Sequence, residues 1–365
     1  MEDEVGRKKT APAGSIRRRR WRWVAGLAIL LGGLWFVITD AYREEEKELR
    51  TQLREAVKES FPEESAAFSR GFGLARFEPD SEEGAVPTSD RGTVVLVHGL
   101  DDPGKVWRSL APELYEQGFD AWLMEYPNDQ PVAESAALLF DELKGLRELG
   151  VARISIVAHS MGGLVSREML TSPDIGYGPL ERDGIVPEVA TLIMVATPNN
   201  GAPVARFRAL GEVRDQIARV EKGEASWLGG ILDGAGEAKI DLLPESRFLT
   251  ELNARPHPTG VEMVILAGVA SPWGEHDIES WLEEQRREAT EEERERLDEL
   301  GVALVALTRG VGDGLVSVES TRLDGVEHQT VEGTHLTMIR NLMKDDPRVP
   351  PAVPIIVDRL SEAGT

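Results

Sequence analysis

The sequence predicts an α/β fold built on a mostly parallel, doubly wound sheet, because strand-like and helix-like segments alternate from residue 92 onwards. The strand-like segments are short, continuous runs of apolar residues, as expected for strands that are buried on both faces of a parallel sheet. Residues 93–97 (TVVLV) form the clearest of these runs. Glycine or proline ends several segments, as is usual where helices and strands stop.

The predicted elements follow one another within a single domain, residues 92–365. The sequence predicts one helix at residues 107–117 and another at 132–149, each closed by a glycine. Besides the strand at 93–97, strands are predicted at residues 119–126, 154–158, 189–196, 261–268, 302–307 and 326–331.

Ser160 stands at a sharp turn between a predicted strand and a predicted helix. Apolar residues alternate before it and recur at helical spacing after it. Ala158 and Gly162 flank it, so AHSMGG has the form small-x-Ser-x-Gly, in which a strained turn projects the hydroxyl clear of the sheet. The helix that follows would direct unpaired N–H groups at the same place and stabilise negative charge on an attacked carbonyl oxygen. A chance serine in a glycine-rich turn is the alternative.

The AHSMGG segment and its context resemble the nucleophile elbow of the α/β-hydrolase superfamily, in particular its bacterial lipase-like and esterase-like members. The resemblance covers the chain from about residue 92 to the C-terminus. It implies the α/β-hydrolase fold, with Ser160 as the nucleophile of a triad that runs in the chain order serine, acid, histidine. It implies no cofactor, and no set of metal ligands is apparent in the sequence.

The resemblance also indicates which histidine serves as the base. His335 lies in GTHLTM, on a predicted turn that helical spacing follows, and members of the superfamily place the catalytic histidine in such a turn. His257 lies between prolines and His276 opens an acidic segment, so both are more typical of surface residues. His328 falls within the predicted last strand.

The acid of the implied triad is Asp313, in the segment GVGDGLVS. Its flanking glycines let the backbone turn the carboxylate towards His335, and the D-G-L-V-x-V pattern is similar to that of lipase-like members. Asp324 is the second candidate, and a turn aspartate without catalytic role is the third interpretation.

An oxyanion hole is implied by the same resemblance. The first N–H group is that of Met161, which directly follows the nucleophile, and the second is the backbone N–H of Leu100, in the HG-x segment after the strand at 93–97. His98 in that segment is interpreted as a structural histidine that shapes the loop.

Two segments interrupt the alternation of strands and helices. Residues 205–252 combine helical spacing with glycine-rich apolar stretches and are either a mobile lid with glycine hinges or an ordinary helix and loop that cover the sheet. Residues 277–300 are acid-rich with few apolar positions, which is typical of a solvated helical insertion.

The N-terminus has the features of a membrane anchor. Residues 23–39 (WVAGLAILLGGLWFVIT) carry no charge and match the short end of membrane-spanning helices. The basic residues at 1–22 predict a cytoplasmic N-terminus, with the catalytic domain on the outer side of the cell membrane. A cleaved signal peptide and a buried soluble helix are the alternatives. Residues 40–91 are predicted to be a charged spacer helix and linker, although a surface helix packed on the body fits equally well.

The charge and the cysteine content of the chain exclude several classes of function. The formal charge is −23, and residues 1–23 carry a net +5, so the rest of the chain is strongly acidic. An acidic body argues against a nucleic-acid partner, which requires Lys and Arg to neutralise phosphates. The chain contains no cysteine, which excludes disulfides, thiolate metal sites and a Cys nucleophile.

The sequence therefore predicts a membrane-anchored serine hydrolase that cleaves carboxylic esters, with lipid or other acyl esters as the expected substrates. An acyltransferase would use the same residues with an alcohol in place of water. A membrane-anchored binding or scaffold protein without catalytic activity is the third interpretation.

Overall fold

The computed structural model describes residues 42–79, 92–100, 104–202, 236–270, 275–288, 312–341 and 347–363, together with single residues between 294 and 343. The compact unit that begins at Arg50 contains the whole sheet. The strands of this sheet are β1 (Gly73–Arg76), β2 (Thr93–Val97), β3 (Asp120–Glu125), β4 (Arg153–His159), β5 (Glu188–Val195), β6 (Glu262–Val269) and β7 (Glu327–Glu332).

The sheet is mostly parallel, as predicted. Its strand order is β1-β3-β2-β4-β5-β6-β7. Strand β1 pairs antiparallel with β3, and every other neighbouring pair is parallel. The helices are α1 (Arg43–Ser60), α2 (Pro62–Ser69), α3 (Leu110–Glu116), α4 (Val132–Glu148), α5 (Met161–Thr171), α6 (Tyr177–Arg182), α7 (Glu237–Asp241), α8 (Arg247–Asn253), α9 (Glu275–Glu288), α10 (Val318–Thr321) and α11 (Ala352–Glu362), and a 3₁₀ turn spans Lys105–Arg108.

Helices cover both faces of the sheet. Successive side chains of each central strand point to opposite sides, so each strand packs against helices on both faces. In β2, Val95 and Val97 pack with helices α4 and α5, whereas Val94 and Leu96 pack with helices α3 and α11. All four side chains are at most 1% exposed. The continuous apolar run that predicted this strand therefore reflects two hydrophobic cores, one on each face.

The N-terminal edge of the sheet lies outside the region that the resemblance covered. Strand β1 falls within residues 40–91, which the sequence assigned to a spacer helix and linker, and it pairs with β3 from Gly73 to Arg76. The predicted strand at 302–307 lies outside the described residues, and β6 pairs directly with β7.

The predicted membrane anchor at residues 23–39 also lies outside the described residues and stays a prediction. Among the residues that the structure describes, no helix combines the length and the apolar character needed to cross a membrane.

The two predicted insertions are described only in part. Most of the predicted lid, residues 205–235, lies outside the described part of the chain. The remainder forms α7 and α8, whose Ala238, Leu249 and Leu252 are at most 2% exposed and belong to the core on the α4 and α5 face. The first part of the acidic segment lies in α9, which ends at Glu288, and Arg286 on this helix donates to Asp298 Oδ1 at 2.9 Å.

An ion-pair cluster attaches helix α1 to the domain. The Arg54 side chain is 0% exposed and donates from Nε to Glu237 Oε2 of α7 at 2.8 Å. Its two Nη atoms donate to the carboxylate of Glu134 at the start of α4, one of them at 2.8 Å. The residues after Arg50 are therefore packed on the body by charge pairing between three helices.

We expect Arg54→Ala to lower the free energy of unfolding by about 3–5 kcal/mol, because it leaves the buried Glu237 carboxylate without its cation. Urea denaturation followed by circular dichroism measures this change. Lys58→Ala is the matched control, since Lys58 pairs with Glu55 at the surface of the same helix, and its cost should stay within about 0.5 kcal/mol. Equal stability of the two variants would contradict the role of Arg54.

Candidate active site

Ser160 occupies a strained turn between β4 and α5. Its backbone angles are φ 55° and ψ −128°, a combination that a non-glycine residue adopts only when the surroundings hold it there. The Ser160 N–H donates to Val195 O of the neighbouring strand β5 at 2.8 Å. The turn is therefore fixed from the centre of the sheet, and helix α5 begins at the next residue, Met161.

Two glycines allow the chain to pass this turn. A Cβ atom on Gly162 would lie 2.5 Å from His98 O and would also overlap Val97 O. A Cβ atom on Gly99 would lie 2.6 Å from the Cβ of Ser160. The end of strand β2 and the loop after it thus limit the space around Ser160. This explains why a glycine, Gly162, stands two residues after the serine.

Asp313 and His335, the acid and base that the sequence proposes, are hydrogen-bonded. His335 Nδ1 lies 2.6 Å from Asp313 Oδ2, and both residues are at most 7% exposed. Asp313 Oδ1 accepts from the N–H groups of Leu315 and Val316, each at 2.8 Å. Because the carboxylate is held by these backbone donors, its other oxygen fixes the orientation of the imidazole.

The His335 imidazole lies beside the turn that carries Ser160. Its ring centroid is 4.7 Å from that of His159, the residue before Ser160, and His159 Nε2 is 2.8 Å from His335 O. Within the described residues, no hydrogen bond joins Ser160 Oγ to the His335 ring. The structure thus brings Asp313 and His335 into contact and places them next to Ser160, and the serine and histidine groups are not hydrogen-bonded in this state.

His159 is a site residue that the sequence did not single out. It is 2% exposed, and burial together with the nearby His335 lowers its pKa well below the ordinary value. The ring is therefore neutral at neutral pH, and its Nε2–H donates to the His335 carbonyl. No local pattern could reveal this partner, because the two residues are far apart in the sequence.

The backbone groups predicted for the oxyanion hole flank the same turn. Met161 is the first residue of α5, where a backbone N–H has no partner within the helix. Leu100 is partly buried against the core. His98, two residues before Leu100, is fully buried and stacks on Tyr126 at 4.4 Å, while the Tyr126 hydroxyl donates to His98 O at 2.6 Å. These contacts agree with a structural role for His98.

The alternative acid and bases make other contacts. Asp324 is exposed, and its carbonyl oxygen is 2.9 Å from His257 Nε2. His328 Nε2 is 2.8 Å from Thr321 Oγ1. The structure places none of the three in hydrogen-bonding contact with Ser160, Asp313 or His335. No group of three or more His, Cys, Asp or Glu side chains suited to a metal ion occurs in the part of the chain that is described.

Several solved structures are similar to the chain at low sequence identity. The mature form of Bacillus licheniformis lipase BlEst2 is 19% identical over 79% of this chain and 97% of its own, with a TM-score of 0.49. Legionella pneumophila phospholipase PlaB is 16% identical over 74% and 59%, with a TM-score of 0.45. Paleococcus ferrophilus monoacylglycerol lipase is 15% identical over 80% and 99%, with a TM-score of 0.41. At these values no substrate or mechanism can be transferred.

No protein of curated function matches the chain. A family model does: the one described as the alpha/beta hydrolase family matches residues 94–331. The match runs from strand β2 to strand β7 and includes Ser160 and Asp313, whereas His335 follows it. Because this match spans more than half of the sequence, the chain belongs to the α/β hydrolase family.

Proposed function

We propose that this protein is a serine hydrolase that cleaves carboxylic esters through an acyl-enzyme, with Ser160 as nucleophile, His335 as base and Asp313 as the acid of the triad. The observation that carries the proposal is the 2.6 Å contact between His335 Nδ1 and Asp313 Oδ2 beside the strained Ser160 turn. Membership of the α/β hydrolase family supports hydrolysis as the reaction class.

The proposed reaction begins with proton transfer from Ser160 Oγ to His335 Nε2. Oγ attacks the ester carbonyl carbon, and the backbone N–H groups of Met161 and Leu100 bind the resulting oxyanion. The imidazolium then protonates the leaving alcohol, and water hydrolyses the acyl-enzyme by the same steps. Asp313 holds Nδ1–H throughout, so that Nε2 is the nitrogen free to accept the proton.

The transfer requires Ser160 Oγ and His335 Nε2 to approach within about 3 Å, a contact that commonly tightens only when substrate binds. His335 is restrained on two sides: its ring by Asp313 and its backbone carbonyl by His159. Lipid or other acyl esters are the substrates that we favour, because the sequence resembles lipase-like members and predicts an N-terminal anchor.

We expect Ser160→Ala to lower kcat/KM for p-nitrophenyl esters by at least about a thousandfold, because no other hydroxyl can form the acyl-enzyme. A fluorophosphonate probe should label the wild type and not this variant. Ser166→Ala is the matched control, since Ser166 lies on the same helix and its hydroxyl only bonds to Gly162 O at 2.8 Å. Labelling of Ser160→Ala at the wild-type level would refute the assignment.

Asp313→Asn should lower kcat by about 10⁴-fold, because the amide no longer fixes the tautomer in which Nε2 accepts the proton. Asp324→Asn should leave kcat within a factor of about two, since Asp324 is exposed and contacts neither Ser160 nor His335. Steady-state hydrolysis of a p-nitrophenyl ester measures both. If the two substitutions had the reverse effects, Asp324 would be the acid.

His159 acts as a positioning residue in this scheme, since its N–H holds the His335 backbone carbonyl. Burial keeps its folded-state pKa below that of an unfolded histidine. As the pH falls below about 6.5, His159 therefore binds a proton in the unfolded chain but not in the folded one. This preference lowers the free energy of unfolding.

We expect the wild type to lose about 1 kcal/mol more unfolding free energy than His159→Gln between pH 7.5 and pH 5.5, because glutamine keeps the N–H donor and does not titrate. Urea denaturation at the two pH values measures the difference. His257→Gln is the control, because His257 is exposed, and it should follow the wild type. A parallel loss in all three proteins would rule out a buried neutral His159.

A further inference from the structure

A cleft of about 660 Å³ lies away from the candidate triad, between the loop after β5, the end of α8 and helix α10 with the turn after it. This is the volume of a typical small-molecule site. None of its lining residues belongs to the proposed triad or oxyanion hole. Four of them are basic: Arg167, Arg255, His257 and Arg322. Such a concentration is notable in a chain whose formal charge is −23.

The floor of this cleft contains a buried guanidinium. Arg167 is 3% exposed, and its Nη atoms donate to Asn199 Oδ1 and Asn253 Oδ1, each at 2.9 Å. Both partners are neutral amides, and Arg167 forms no ion pair with any described residue. Burial lowers its pKa to about 10, so the side chain remains charged at neutral pH.

The hydrogen bonds of Arg167 leave part of its capacity unused. A guanidinium has five N–H donors, and two of those of Arg167 are engaged with protein. A neutral hydrogen-bond donor would be enough to link Asn199 and Asn253. A buried cation is costly unless an anion compensates it, so a purely structural role does not account for the charge.

The neighbouring charges compensate Arg167 only in part. The carboxylate whose charge acts on it, that of Glu168, is 2.7 Å from Arg255 Nη1 and is engaged there. Arg322, on the rim, lies 3.4 Å from Glu319, whose side chain is 87% exposed. Glu319 and the exposed Asp324 thus line the solvent-facing part of the cleft, where water screens their charge, and the buried part is cationic.

We propose that this cleft binds a phosphate group, with Arg167 as the ligand on the floor and Arg322 as a second ligand from the rim. Guanidinium groups bind phosphate oxygens in pairs, and a phosphate presents more acceptor oxygens to two arginines than a carboxylate does. Arg167 follows Ser160 by two turns of α5, or about 10 Å along the helix axis. The site is therefore separate from the proposed catalytic centre.

The test is the melting temperature of the full-length protein in inorganic phosphate and in chloride of equal ionic strength. Phosphate should raise the wild-type value more than chloride does, because a ligand that binds only the folded state stabilises it. Arg322→Ala should weaken phosphate binding at least about tenfold, and Arg167→Lys, which keeps the charge without the planar fork, should do the same. Arg247→Ala is the control, since Arg247 is exposed on α8 and does not line the cleft.

Two further ligands distinguish the sources of the phosphate. Arg322-dependent binding of sn-glycerol 3-phosphate would indicate a soluble phosphate ester, and stronger binding of monomeric dihexanoyl phosphatidate would indicate a lipid headgroup; either supports the proposal. Absence of any phosphate-specific shift in the wild type, or equal shifts in Arg322→Ala, Arg167→Lys and Arg247→Ala, would overturn it. Ser160→Ala keeps the cleft and should bind phosphate as the wild type does, so the outcome is independent of the hydrolase proposal.

Discussion

The backbone of one residue, Ser160, constrains most of what surrounds the candidate site. A serine at φ 55° is stable only because its N–H is bonded to β5 and because the segment after it passes the end of β2 without a side chain at Gly162. Both supports come from the middle of the sheet, where residues are fully buried. The buried core therefore supplies the free energy that keeps an unfavourable turn in place.

The remaining parts of the site reach this turn from distant parts of the chain. The Asp313 segment lies at the end of β6, where the Ala270 N–H donates to Gly312 O at 2.7 Å, and His335 follows β7. Both therefore lie at the carboxyl edge of the parallel strands, as does Ser160 after β4. The backbone carbonyl of His335 is joined to the His159 ring, and its imidazole to Asp313. The sheet sets the approximate distances, and these two hydrogen bonds set the orientation.

Local pattern was enough to predict the central strands and the Ser160 turn, since both depend on neighbours in sequence. Strand β1 was missed because GLAR is a short, half-buried edge strand with no apolar run. The packing of α1 depends on Arg54 meeting Glu134 and Glu237, and no local signal reports such distant partners. The preference for Asp313 over Asp324 came from family resemblance, and the three-dimensional contacts of the two residues now differ clearly.

The edge position of β1 has a practical consequence for shortening the chain. A version that began at residue 92, where the family resemblance starts, would expose the backbone hydrogen-bonding groups along one side of β3. Open strand edges pair with other molecules and promote aggregation. The same cut would remove Arg54, the counter-ion of the buried Glu237 carboxylate. A stable fragment is therefore larger than the recognisable family region and has to include both Arg54 and β1.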